Sequence, residues 1–257
     1  MKASSAILHV IEYDFRNFFR YRWFIIALLA MNLADLFISA IVFAQMTRGI
    51  VDYFTFFAPG LAVIGLFASA FMIGREINME VRREVHHYLL SLPMTRTELA
   101  IGRVLAGGLR GMLYMTPLLI TNFVLLGFPT VPQLLIILLT LFLLAVGISG
   151  VSISIAVSTT SFEKFVTARG VVYYLFFFCS SVFYPITMII PTLEAKGLAP
   201  LAMFAQINPL INGSDLIRSF LLGAPAFSSL MLLDVAVFSA IFAFFATFAY
   251  AKILMRQ

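Results

Sequence analysis

Six stretches of roughly 20 mostly apolar residues punctuate this chain, and segments of that length are long enough to cross a bilayer as helices. They run approximately from Trp23 to Gln45, Phe54 to Gly74, Val104 to Gly127, Pro132 to Val157, Gly170 to Ile190 and Ser229 to Ala251. In lipid only helices and closed barrels satisfy their own backbone. The alternating strands of about ten residues that a barrel needs are absent. Composition agrees: 62% of the 257 residues are hydrophobic and only 11% are charged, against about 25% charged in soluble domains. A soluble fold of this size has too much surface facing water to hide so much apolar side chain. The expectation is an all-α integral membrane protein with six transmembrane helices. The lone Cys179 rules out an internal disulfide framework.

Ahead of the first stretch, Ile7, Val10, Ile11, Phe15, Phe18, Phe19 and Trp23 recur near helical spacing, with Glu12, Asp14, Arg16, Arg20 and Arg22 among them. That pattern predicts an N-terminal helix over residues 1–22 lying in the membrane interface, followed by a six-span domain over 23–257. No A-x-A-like cleavage site follows a short apolar core, so the segment does not read as a secretory signal. All but three of the 17 Lys and Arg residues (Arg48, Lys196 and Arg218) fall on one side of this topology. The positive-inside rule therefore puts both termini in the cytoplasm and the protein in the cytoplasmic membrane, multi-pass. The net charge of +5 then marks a membrane face, and no nucleic-acid partner is expected.

Two connections are unusual. Between Gly74 and Arg103, Glu76, Glu80 and Glu84 fall at i, i+4 and i+8, which places three carboxylates on one helical face. Leu89, Leu90 and Leu92 add an apolar edge, Pro93 breaks the helix, and a second short helix is expected from Thr97. Charged and apolar residues interleaved in this way suit a docking element for a cytoplasmic partner. The connection from Pro191 to Ser228 is rich in Leu, Ile, Met and Phe, yet Pro191, Pro200, Pro209 and Pro225 break it repeatedly. Short external re-entrant helices before the last span account for both features. Asn208 and Pro209 would fix a turn there, and Asp215 and Arg218 would pair across one helical face.

These two connections resemble those of the membrane subunit of a type-2 ABC transporter. The first carries Leu92-Pro93-Met94-Thr95-Arg96-Thr97-Glu98-Leu99, similar to that family's Leu-Pro-x-(Ser/Thr)-Arg-x-Glu-Leu core, with Gly102-Arg103 where the family has Gly-Lys. The family's second pattern, before the last span, is matched in order by Tyr184-Pro185, Asn208-Pro209-Leu210, Asp215, Arg218 and Gly223. The resemblance implies an export permease driven by a separate ABC ATPase subunit in two copies, with a second permease copy (a homodimer or a paralogue) forming the channel. It implies coupling to the ATPase through Glu76, Glu80, Glu84, Leu92, Pro93, Arg96 and Glu98, with Phe162 as a smaller contact. It also implies an external cap built on Pro185, Asn208, Pro209, Asp215 and Arg218, and amphipathic substrates such as drugs, lipids, lipid-linked glycans or peptides.

None of the four lysines follows a glycine, so the chain lacks the Gly-Lys-(Ser/Thr) of a P-loop. ATP and Mg are accordingly expected on the partner subunit, with no cofactor in this chain, no catalytic residue and no metal ligand set. His86 and His87 are adjacent and point about 100° apart on a helix, which does not suit a shared metal. The Gly107-Gly108-x-x-Gly111 cluster and the Gly150, Ser154, Ser158 series read as close helix packing. Asn32 and Asp35 lie three apart in the first stretch and either line a translocation path or join helices by hydrogen bonds. An ion-coupled carrier would need midplane ionisable groups and internal repeats. Asp35 is the one mid-depth candidate for such a group, and no repeat relates the halves. A non-transporting membrane scaffold is the remaining alternative.

Overall fold

The structure is a computed structural model that describes residues 3–20, 53–83, 93–159 and 161–256, together with isolated positions between 22 and 42 and at 85 and 88. Most of the first apolar stretch, including Asn32 and Asp35, lies outside the described residues, as do Glu84, His86, His87 and Leu92. The described residues form α1 (Ala3–Arg20), α2 (Tyr53–Phe71), α3 (Ile73–Arg82), α4 (Arg96–Leu126), α5 (Val131–Ser158), α6 (Phe162–Phe178), α7 (Ile186–Ala195), α8 (Ala199–Gln206), α9 (Pro209–Leu221) and α10 (Ser229–Arg256), and no strand. Four stretches among them are long and apolar enough to cross a membrane: Tyr53–Arg82, Arg96–Leu126, Val131–Ser158 and Ser229–Met255.

The helices begin where the side chains can cap them. Thr95 Oγ1 accepts from the Glu98 amide, and the Thr95 amide donates to Glu98 Oε2, a reciprocal capping box that starts α4. Thr130 donates its amide to Gln133 Oε1 at the start of α5, and Ser161 Oγ accepts from the Lys164 amide at the start of α6. Two expectations change here. No separate short helix follows Pro93: α4 starts at Arg96 and continues through Arg103 and Arg110 to Leu126 without interruption, ending at Gly127 with φ 108°. The fifth apolar stretch is divided as well, because α6 starts earlier, at Phe162, and stops at Phe178. Asn208 supplies the physical reason, donating its Nδ2 to the Phe176 and Cys179 carbonyls at the end of α6. Pro185 then opens α7, biasing the residue before it away from helix.

At the centre α5 is enclosed by α2, α4 and α10. Val63, Leu66, Phe67, Met115, Leu141, Leu144, Ile148 and Val235 form the main buried cluster there. A second cluster draws Val10 of α1 and Ile73 and Ile77 of α3 onto Leu99, Val104, Ile153 and Tyr250. Leu230, Leu233, Val237, Ile241, Phe244, Phe245 and Phe248 on α10 face outward, an apolar exterior suited to lipid.

Small residues set the helix spacing. A Cβ on Gly150 would lie 2.5 Å from the Phe242 carbonyl of α10, and those on Gly107 and Gly108 would meet Ser149 and Val146 of α5. The joint between α2 and α3 is held by Ser152 of α5, whose hydroxyl donates to the Phe71 carbonyl and accepts from the Gly74 amide at 3.2 Å.

Gly74→Ala should destabilise the chain by about 1–3 kcal/mol, because its Cβ would lie 2.4 Å from the Ser152 carbonyl and neither backbone can yield. Gly170→Ala, with nothing within 4 Å of its Cβ, should leave the melting temperature in detergent unchanged or raised. A thermal unfolding scan of the two variants checks both expectations.

Candidate functional site

Beyond the α2–α3 joint, α3 carries Glu76 and Glu80 four residues apart, and the facing part of α4 carries Arg103 and Arg110 seven apart. One turn on one helix is thereby matched against two turns on the other. Both pairs are bidentate. Arg103 Nη2 donates to the two oxygens of Glu80 at 2.6 Å each, and Arg110 Nη1 and Nη2 donate to Glu76 Oε1 and Oε2 at 2.6 and 2.7 Å.

Asp14 of α1 lies between them, accepting from Arg103 Nη1 at 2.8 Å and making an ion contact with Arg110 Nε. Tyr13 and Phe18, also on α1, place their rings against the Arg103 and Arg110 guanidiniums at 5.5 and 5.2 Å. Asp14 and Arg103 are wholly excluded from solvent, and Arg110 is 1% exposed. Burial pushes the Asp14 carboxyl above its ordinary range, against the pull of Arg110 and Arg103.

This arrangement revises the reading of the 74–103 connection. Glu76 and Glu80 do not present a free acidic face, since their half-buried carboxylates are engaged by Arg110 and Arg103, and Glu98 is committed to the α4 cap. Among the described residues expected to couple to a partner, Pro93, Arg96 and Phe162 at the start of α6 face outward. Phe162 is 50% exposed, and its ring lies 5.9 Å from the Arg82 guanidinium. Arg82 in turn donates to Asn78, which is anchored on the Ala156 carbonyl of α5. Asp14 was missed in the sequence because it reads as part of the polar side of α1. The signal was Arg110, a charge inside an apolar stretch, which requires a partner.

At the opposite end of α2, Arg218 of α9 organises a second polar centre. Its guanidinium donates to Asp215 Oδ1 at 2.7 Å, to the Phe56 carbonyl at 3.0 Å, to Ser181 Oγ at 3.2 Å and to the Val182 carbonyl at 3.3 Å. It also lies 3.8 Å from the centre of the Phe56 ring. The Asp215–Arg218 pairing expected from spacing is present, and at 1% exposure Arg218 belongs to the interior. Asn208 is buried too, its Oδ1 capping α9 at the Leu210 amide while its Nδ2 closes α6. Pro209 follows at the first position of α9 and Pro185 precedes α7. Arg218 thus ties α9 both to the start of α2 and to the bend after α6.

Removing one member of the first cluster leaves a buried charge unmatched. Arg110→Leu alone should cost about 3–5 kcal/mol by that rule. Arg110→Leu combined with Glu76→Leu should cost less than the sum of the single changes, by about 0.5–3 kcal/mol. A double-mutant cycle read from denaturation midpoints in detergent measures the coupling, and strict additivity would mean that the two side chains are energetically independent.

Comparison with protein-family models matches residues 5–218 to the ABC-2 type transporter. Comparison with curated proteins gives no match. The matched stretch contains both polar centres, the capped start of α4 and the bend between α6 and α7. The chain belongs to the ABC-2 type transporter family, as a membrane-spanning permease.

Proposed function

We propose that this chain is the transport subunit of an exporter whose ATP hydrolysis takes place on a separate ABC ATPase. Two copies of the chain would line the path between them and two ATPase subunits would sit beneath, carrying the ATP and Mg. The substrate would be amphipathic: a drug, a lipid, a lipid-linked glycan or a peptide. In this reading the chain crosses the cytoplasmic membrane six times with both termini in the cytoplasm. Residues 1–22 lie along the inner interface, and 23–257 form the permease domain.

The observation that carries the reading is the ABC-2 match joined to the way α1, α3 and α4 are tied together by buried ions. ATPase movement delivered to the 74–103 connection would reach α4 through Arg103 and Arg110 as a rigid-body displacement. The exposed residues Pro93, Arg96 and Phe162 would make the contact, and Leu92 and Glu84, which lie outside the described residues, stay candidates for it. Glu76, Glu80 and Glu98 would serve coupling by holding the connection in shape. At the far end α7, α8 and α9, pinned through Asn208, Asp215 and Arg218, would cap the outer mouth with Pro185 at the turn. Asn32 and Asp35 remain candidates for the path itself.

The combined change Arg96→Glu and Phe162→Ala removes outward-facing groups and leaves the ion cluster intact. It should preserve membrane insertion and the melting temperature while reducing copurification of the partner ATPase severalfold and uncoupling ATP hydrolysis from transport. Full recovery of the ATPase together with undiminished transport would remove these residues from the docking surface. A chain that copurifies with no ATPase at all would sink the exporter reading itself.

A further inference from the structure

The buried arginines described so far, Arg103, Arg110 and Arg218, each face a carboxylate. Arg169 on α6 is also partly buried but has no acidic partner among the described residues, and its Nε is shut away from solvent without a hydrogen bond. Its guanidinium instead lies over the Phe71 ring, 5.4 Å from the centroid. Phe71 is the last residue of α2, and one turn further on stands Arg75, whose positive charge acts on Arg169. Arg75 has no carboxylate partner among the described residues either. The nearest acid along α3, Glu76, has both oxygens engaged by Arg110. Arg75 is exposed and Arg169 is half-buried over Phe71, one turn from Arg75 along the chain. Two neighbouring cations with no acid between them among the described residues offer an anion both charges.

The surroundings are apolar and aromatic. Phe67, Phe71 and Tyr173 form a packed set, with Phe67 and Tyr173 stacked at 4.8 Å and Phe71 and Tyr173 at 5.8 Å. Beside Arg75 opens a cavity of about 280 Å³ lined by Phe18, Ile25, Met72 and Met79 together with the ion-paired Glu76 and Arg110. A small hydrophilic anion would find charge here but would gain nothing from these walls. A molecule with an anionic head and an apolar body would find both. Guanidinium groups suit phosphate because their fixed fork matches its oxygens.

We propose that Arg75 and Arg169, set against Phe71 and the adjoining apolar cavity, form a binding site for the anionic phosphate head of a lipid-like amphiphile. This deepens the exporter reading, on which its transport role rests, by naming a substrate class. The ligand is either the transported molecule or an anionic lipid of the bilayer, and the head chemistry is the same for both.

The test uses the full-length chain in nanodiscs of phosphatidylcholine, titrated with spin-labelled phosphatidylglycerol, with decyl phosphate and with inorganic phosphate. Wild type should take up phosphatidylglycerol and decyl phosphate in preference to phosphatidylcholine and should ignore inorganic phosphate. Arg75→Gln with Arg169→Gln should weaken phosphatidylglycerol binding about tenfold or more, and Arg75→Lys with Arg169→Lys should restore part of it. Thermal unfolding of each variant separates lost binding from lost fold. If the double Gln variant melts early, the charge-retaining Lys pair and competition by decyl phosphate on wild type decide the matter.

Absence of a preference in wild type, or an unchanged preference in a folded double Gln variant, overturns the proposal. If decyl phosphate also stimulates ATP hydrolysis by the reconstituted complex and the double Gln variant loses that stimulation, the site takes cargo. If binding occurs without stimulation, the site holds a resident lipid, and the binding proposal still stands. Failure to recruit an ATPase with binding intact counts against the exporter reading alone.

Discussion

Arg103 and Arg110 are charges that cannot reach water, and much of this architecture is arranged to satisfy them. Their heads stand two turns apart on α4 and are met by carboxylates one turn apart on α3, which fixes the position of α3 through Glu76 and Glu80. One carboxylate from each turn of α3 leaves Asp14 to bridge the remaining donors, and this in turn fixes α1. Breaking such a set exposes uncompensated charge, whereas keeping it adds little net stability over a well-packed apolar core. The value of the arrangement is positional. Three helices that meet mostly through smooth apolar surfaces gain one register in which Arg103, Arg110, Asp14, Glu76 and Glu80 are matched.

The apolar part of the fold was readable because its cause is local. Stretch length gives a helix, and four of the expected segments appear, although Tyr53–Arg82 runs past Gly74 and Arg96–Leu126 starts well before Val104. Proline and Asn side chains also act locally, so Pro93 was legible as a break and Asn208 as a turn, whereas the start of α4 was expected at Thr97 and lies at the Thr95 cap. The contacts that divided the fifth segment were not. Asn208 sits about thirty residues from the carbonyls it takes from α6, and nothing near Phe178 announces the end of that helix.

The same limit explains the carboxylates. Spacing put Glu76 and Glu80 on one face, and the face was correctly drawn, but spacing carries no information about what lies opposite. Arg110 carried that information. A guanidinium six residues into an apolar stretch has to be met by an acid from elsewhere in the chain, and Glu76 is at the right distance from the same membrane edge. The Asp215–Arg218 pair was legible because both partners share one helix. Its burial was not, since that depends on Phe56 and Ser181 arriving from two other elements.

The unbroken run of α4 from its capping box to Gly127 also has a mechanical meaning. Thirty-one residues make a rod of about 46 Å, so a tilt of about 5° around one end sweeps the other through about 4 Å. Both arginines are set in the first half of that rod, Arg110 about four turns from the cap. In the proposed exporter such a helix, with Pro117 in its second half, would carry small torques at the ionic end to larger excursions at the other.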